Sequence, residues 1–194
     1  VRDDLLAFAY LAQETPSYLT RMKALAETLK HLEGPLLLMD TAAAAALGAL
    51  EDDRVRGHRQ RLLVNVGNSH TLAFRLSDNH VLSFFEHHTF LLDGPAIDRL
   101  ILKLAEGSLT QEEVFGEGGH GCYILKKGSG KPFLSVTGPQ RWRMQSSPLK
   151  PYFAAPHGDM MLAGCFGLLR AFASKVDGWG EEIKKRLAGR GEQG

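Results

Sequence analysis

Residues 62–76, LLVNVGNSHTLAFRL, enclose a short polar turn, Gly67-Asn68-Ser69-His70, between two apolar runs. Without a Cβ at Gly67, an anion can approach the main chain closely. The successive N–H groups of Asn68, Ser69 and His70 could form an anion-binding concavity, with the hydroxyls of Ser69 and Thr71 as further donors. The same residues also suit a plain hairpin turn, which is the better reading of the turn taken alone; the flanking helix and the later motifs turn the balance toward phosphate. A second stretch, VTGPQRW, sets Gly138 and Pro139 just beyond a strand. Glycine there lets a base or ribose lie flat on the backbone. Gln140 follows, and Arg141 could stack on the base or pair with a phosphate. The competing reading is a strand-ending turn whose Arg141 and Trp142 cover the surface.

His157-Gly158-Asp159 sits where a strand hands over to a helix, a usual place for cleft residues, although Asp159 also suits a helix cap. GEGGHG, residues 116–121, fits G-x-G-x-x-G. It follows a helix and precedes a strand, the reverse of a dinucleotide fingerprint, and reads as a mobile loop. KGSGK, residues 127–131, is too short for a Walker A loop and reads as a hairpin tip. His87 and His88 are adjacent, so on a strand they point to opposite faces. His120-Gly121-Cys122 has no familiar zinc spacing, and no metal site is expected from these residues. Cys122 and Cys165 are too distant in sequence for a disulfide framework and read as reduced thiols of a cytoplasmic protein.

The elements that must position these groups follow from periodicity. Leu19, Met22, Leu25, Ala26 and Leu29 recur at helical spacing after Ser17, with Gly34 as a stop. PLLLMD, 35–40, reads as a buried strand, and Thr41 can cap a helix through AAAAALGAL. That helix has almost no large side chains and must pack very close to a neighbour. EDDRVRGHRQR, 51–61, is a charged connector and the best boundary. RLLVNVG, TLAFRLS and HVLSFFEHHT read as three consecutive strands with tight turns, the second at Asp78-Asn79. PAIDRLILKLAEG, 95–107, is an amphipathic helix with Pro95 in its first turn and Gly107 at its end. A short helix over 108–115, a hairpin or else two separate strands around KGSGK, a strand at 152–156 and a helix over 158–174 complete the order. That order predicts an α/β fold, a mixed sheet covered by helices.

The chain has 194 residues, 44% of them hydrophobic, with 23 Lys plus Arg against 22 Asp plus Glu. Such a composition suits a globular core and supplies no basic excess for nucleic acid or an anionic membrane. No apolar run approaches the roughly 20 residues that span a bilayer. Val1 opens directly in helix-like sequence, which points to a fragment of something longer.

Taken together, DTAAAAALGAL, LLVNVGNSHTLAFRL, LLDGPAIDRLI with Asp98, SVTGPQRWRM and GDMMLAGCFGLLRAF resemble, in order, motifs of the actin-like ATPase superfamily. That superfamily includes actin, sugar and acetate kinases and heat-shock chaperone ATPases. More narrowly, the chain resembles a family of their relatives that has carried the label pyruvate formate-lyase activating enzyme. The resemblance implies a ribonuclease-H-like fold, with ATP and Mg²⁺ between two halves. Residues 1–55 would be the tail of the first half, 60–174 the second, and 175–194 a charged tail. Phosphate would bind at Gly67, Asn68, Ser69, His70 and Thr71, and the nucleoside at Gly138, Pro139, Gln140 and Arg141. Asn65, His157 and Asp159 would be further cleft residues. The family hairpin has an acidic residue where this chain has Asn65, a neutral ligand and a poor base, so this half alone should not position a metal or an attacking water. The partners implied are a nucleotide and either a missing N-terminal half or a second copy. The activating-enzyme label implies radical chemistry on a three-cysteine iron–sulfur cluster, which two cysteines do not supply.

Overall fold

Apolar side chains on both faces of LLVNV make it the centre of the fold. In the computed structural model, which describes residues 4–188, this run lies in β3, the inner strand of the main sheet. In chain order the elements are β1 (Ala9–Leu11), α1 (Thr20–Thr28), β2 (Leu37–Met39), α2 (Thr41–Ala49), α3 (Asp53–Arg56), β3 (Gln60–Val66), β4 (His70–Ser77) and β5 (His80–His88). There follow α4 (Gly94–Glu106), α5 (Gln111–Gly116), β6 (Gly121–Ile124), β7 (Phe133–Thr137), β8 (Tyr152–Phe153), α6 (Ala163–Lys175) and α7 (Gly180–Ala188). The six-stranded sheet runs β6-β5-β4-β3-β7-β8. The β3-β4-β5-β6 pairs are antiparallel, whereas β7 and β8 run parallel to β3. This is the mixed α/β sheet that the ribonuclease-H-like reading expected.

Alternation along β3 explains the layering. Leu62, Val64 and Val66 join Ala73, Phe85 and the α4 residues Ile97, Leu100, Ile101 and Leu104 in one core. Leu63, with Leu72, Phe74 and Leu76, packs on the other face against the alanines and Leu47 of α2. Helices therefore cover both faces, which is why the run Leu62–Val64 of the central strand is apolar on both sides. Asp93 caps α4 by accepting from the Ala96 amide at 2.8 Å, and Gly107 ends it in the left-handed region at φ 69°.

The close neighbour expected for the small-residue helix α2 is α6. A Cβ on Gly48 would lie 1.7 Å from the Ala163 carbonyl oxygen, and one on Gly167 would lie 1.8 Å from that of Ala44. The α2 and α6 backbones thus touch directly at their crossing.

Several expectations need correction. The opening residues form a 3₁₀ turn and β1, which pairs with β2, rather than a helix. The first helix is shorter than its apolar period suggested and buries none of its residues. Asp40, not Thr41, caps α2, accepting from the Ala42 amide. The charged connector is built into the structure. Glu51 and Asp52 are buried, and Asp52 accepts from the Arg54 and Ala155 amides and the Tyr152 hydroxyl. Of the two readings of 122–138, the hairpin is wrong and the pair of separate strands around KGSGK is right. β6 and β7 stand at β5 and β3 respectively, and the KGSGK carbonyls of Ser129 and Gly130 accept from the fully buried Arg75 guanidinium. Two 3₁₀ turns precede α6 where a continuous helix was expected. The predicted charged tail contains α7, and its last six residues lie outside the described ones.

Candidate functional site

At the carboxyl end of β3 and the start of β4, a cleft of about 680 Å³ opens between the sheet and the first elements of the chain. That size is ordinary for a small-molecule pocket. Its floor holds Asn65, Gly67, Asn68, Ser69, His70 and Glu86, one wall holds Thr137, Gly138 and Pro139, and the other holds Met39, Asp40 and Thr41. Met160, Met161, Ala163 and Gly164 close one side. The α1 residues Arg21, Met22 and Leu25 line it too, which is where that helix turns part of its apolar stripe.

The two stretches singled out in the sequence are thus neighbours. Gly67 donates to His70 O at 3.0 Å and closes the turn. Asn68 and Ser69 are exposed at its tip, and among the described residues their amides have no protein acceptor. Gly138, at φ 100°, lies so near the end of β3 that a Cβ would meet Val66 O at 2.4 Å. The corner is then tied to the turn, because Gln140 donates through its amide to Val66 O at 2.9 Å and through its side chain to Asn68 Oδ1 at 3.1 Å.

Asn65 is buried beneath both bends: Cβ atoms on Gly67 and Gly138 would come within 3.4 and 2.9 Å of its side chain. The cleft's carboxylates are Asp40, at the start of α2, and Glu86, on β5 opposite Leu72 of β4. An oxygen-seeking cation accompanying phosphate would find those two groups rather than one at position 65.

Other expected residues lie elsewhere. Thr71 is fully buried on the opposite face of β4, its hydroxyl 2.9 Å from that of Thr89, because successive strand residues alternate. Arg141 continues past the corner into a 3₁₀ turn and does not line the cleft. His157, in the left-handed region at φ 52°, places its ring 4.6 Å from that of Phe166 and also lies off the cleft. Asp159 caps the next turn, accepting from the Met161 amide at 2.8 Å. Asp98 is likewise structural, accepting from the Ser147 hydroxyl at 2.6 Å.

The fold also assembles a group that sequence spacing did not reveal. His70, His88 and His120 have ring nitrogens that all lie within 4.8 Å of one another. Their ring centroids are 4.4–5.0 Å apart. His70 and His88 are partners across the β4–β5 ladder, and His120 arrives on the GEGGHG loop. Desolvation, then repulsion from His120 and His70, draws the His88 imidazole below its ordinary value, toward the neutral form. The available signal was a histidine at each end of a predicted hairpin and a third in the next glycine loop.

No helix among the described residues is long and apolar enough to cross a membrane. No curated protein and no solved structure matches the chain significantly. Residues 1–143, most of the chain, match the family described as "Putative pyruvate format-lyase activating enzyme (DUF1786)", and the protein belongs to that family.

Proposed function

We propose that the cleft binds the phosphates of a nucleotide, ATP with Mg²⁺, and that this chain is the phosphate-binding second half of an actin-like ATPase or phosphotransferase relative. The observation that carries this reading is the joining of two bends, Gly67–His70 and Gly138–Pro139, along one cleft. Free amides at a glycine turn attract anions, and the second glycine bend leaves room for a flat ring on the backbone. Asp40 and Glu86 are the cleft carboxylates that would be available to Mg²⁺, the phosphates supplying part of its shell as they usually do. Phosphoryl transfer needs positioning and charge stabilisation from every side of the phosphates, so the isolated chain should bind without appreciable turnover. Radical chemistry on a three-thiolate cluster finds only Cys122 and Cys165 here.

A second reading is an assembly module that keeps the fold without nucleotide. It is favoured by the exposed Met161, Leu162, Leu168 and Leu169 on and before α6. Thermal denaturation with Mg-ATP, Mg-ADP and inorganic phosphate separates the two. A binder at a hundred times its Kd gains about 2.7 kcal/mol and melts higher. No shift at millimolar nucleotide, together with a concentration-dependent mass in sedimentation, would sink the nucleotide reading and favour assembly.

A further inference from the structure

We propose that His70, His88 and His120 form a transition-metal site that takes Zn²⁺, with three imidazole ligands and a fourth position open to solvent. Three histidines with one position left for water or substrate is the ligand count of a catalytic rather than a closed structural zinc site. Imidazole nitrogens select zinc and its transition-metal neighbours over Mg²⁺ or Ca²⁺, which prefer oxygen.

The supporting frame is specific. His70 and His88 are fixed opposite each other on paired strands, so their separation is set by the ladder. His120 is exposed, but its backbone is held where its amide donates to Glu86 O at 2.9 Å. The glycines around it explain how the loop reaches this place. Gly118 and Gly121 have φ of 83° and 119°, and Gly119 passes so close to His87 that a Cβ would lie 2.5 Å from that ring. Nitrogens sharing one zinc at 2.0–2.1 Å stand about 3.3 Å apart in tetrahedral geometry. Closing the present spacing, within 4.8 Å, to that value asks for small side-chain rotations of all three histidines, His70 and His88 on their strands as well as the exposed His120. His70, alone of the three, also lines the cleft, so the site adjoins the cleft, and a water or an anionic oxygen would complete the shell. The proposal is independent of whether the cleft takes nucleotide.

The test uses the untagged chain, stripped with chelator and titrated with Co²⁺ in the absence of nucleotide. The expected result is intense visible d–d absorption of tetrahedral Co²⁺ saturating at equimolar metal and abolished by Zn²⁺. Outer partners of a ligating histidine are worth about 10–100-fold in affinity. Loss of a ligand in His120→Ala or His120→Asn should therefore cost at least about a hundredfold, with the circular-dichroism spectrum unchanged. His31→Ala, far from the cluster in sequence, should bind as the parent does. Absence of the d–d bands, or affinity that survives both His120 substitutions, would overturn the assignment.

Discussion

His70 stands opposite His88, not His87, because β5 carries one extra residue. Ser77 pairs with His80 and Leu76 with Val81, but Arg75 then pairs with Ser83, leaving Leu82 as a bulge. Counting outward from the Asp78-Asn79 turn without the bulge would set His87 beside His70. With it, His88 faces the cleft side and His87 is fully buried on the α4 side. A one-residue slip exchanges the two faces of a strand.

The two adjacent histidines should therefore behave differently. His87→Ala empties a core position and should lower stability by about 2–4 kcal/mol. His88→Ala should leave the urea midpoint nearly unchanged while abolishing Co²⁺ binding. Urea denaturation of both variants checks this, and the opposite pattern would mean that the bulge is absent in solution.

Gly48 and Gly167 should tolerate no side chain. A methyl group on either would meet backbone rather than a movable side-chain end. Overpacking usually costs about 1–3 kcal/mol, and alanine at either site should reach or exceed the upper end, read from denaturant unfolding. Gly164, whose Cβ would meet nothing within 4 Å, is the matched control. A Gly167→Ala protein as stable as Gly164→Ala would refute the direct helix contact.

Asp52 joins the connector to the far edge of the sheet. It accepts from the Tyr152 hydroxyl at 3.0 Å and the Ala155 amide at 3.0 Å as well as capping α3. Asp52→Ala should cost about 2–4 kcal/mol, through loss of a cap and two stranded donors, whereas Tyr152→Phe should cost about 1 kcal/mol. Burial, followed by the Asp52 hydrogen bond and charge, raises the Tyr152 pKa. The folded state then keeps a proton that the unfolded chain releases, so stability declines as pH rises above about 10, the ordinary tyrosine value. Tyr152→Phe should flatten that decline in alkaline denaturation series.

The two thiols should react at different rates. Burial and then the charges of Glu112 and Glu113 push the Cys122 thiol up, and its Sγ lies 3.6 Å from Leu109 O. Cys165 is exposed. Since the thiolate is the reactive form, iodoacetamide at neutral pH should label Cys165 at least about tenfold faster, as read by peptide mass mapping. Equal rates would mean that the α5–β6 corner opens readily.

How much of this was legible depended on how local the cause was. Helix α4 could be read directly, because Ile97, Leu100, Ile101 and Leu104 recur at its period and Gly107 ends it. That α2 must pack very close to a neighbour was legible from its small residues, but not that the neighbour is α6. Thr71 was misplaced because the hairpin was read as a string of donors, although His70 and Thr71 must point to opposite faces. The three-histidine cluster depended on a bulge and on a loop returning to β5, neither of which leaves a mark at fixed spacing. β6 and β7 lie close together in sequence, yet the β5 edge takes one strand and β3 the other.

Arg75 gives the glycine-lysine loop a different character from its composition. Its guanidinium is fully buried and donates to the Ser129 and Gly130 carbonyls, while Gly128 passes so close that a Cβ would lie 2.5 Å from its Nε. Lys126, Lys127 and Lys131 are exposed and look like easy trypsin sites. Peeling that segment away would strand an uncompensated cation inside the protein. Proteolysis there should consequently wait for the whole β4 region to unravel, so that cutting at these lysines reports global unfolding rather than loop breathing.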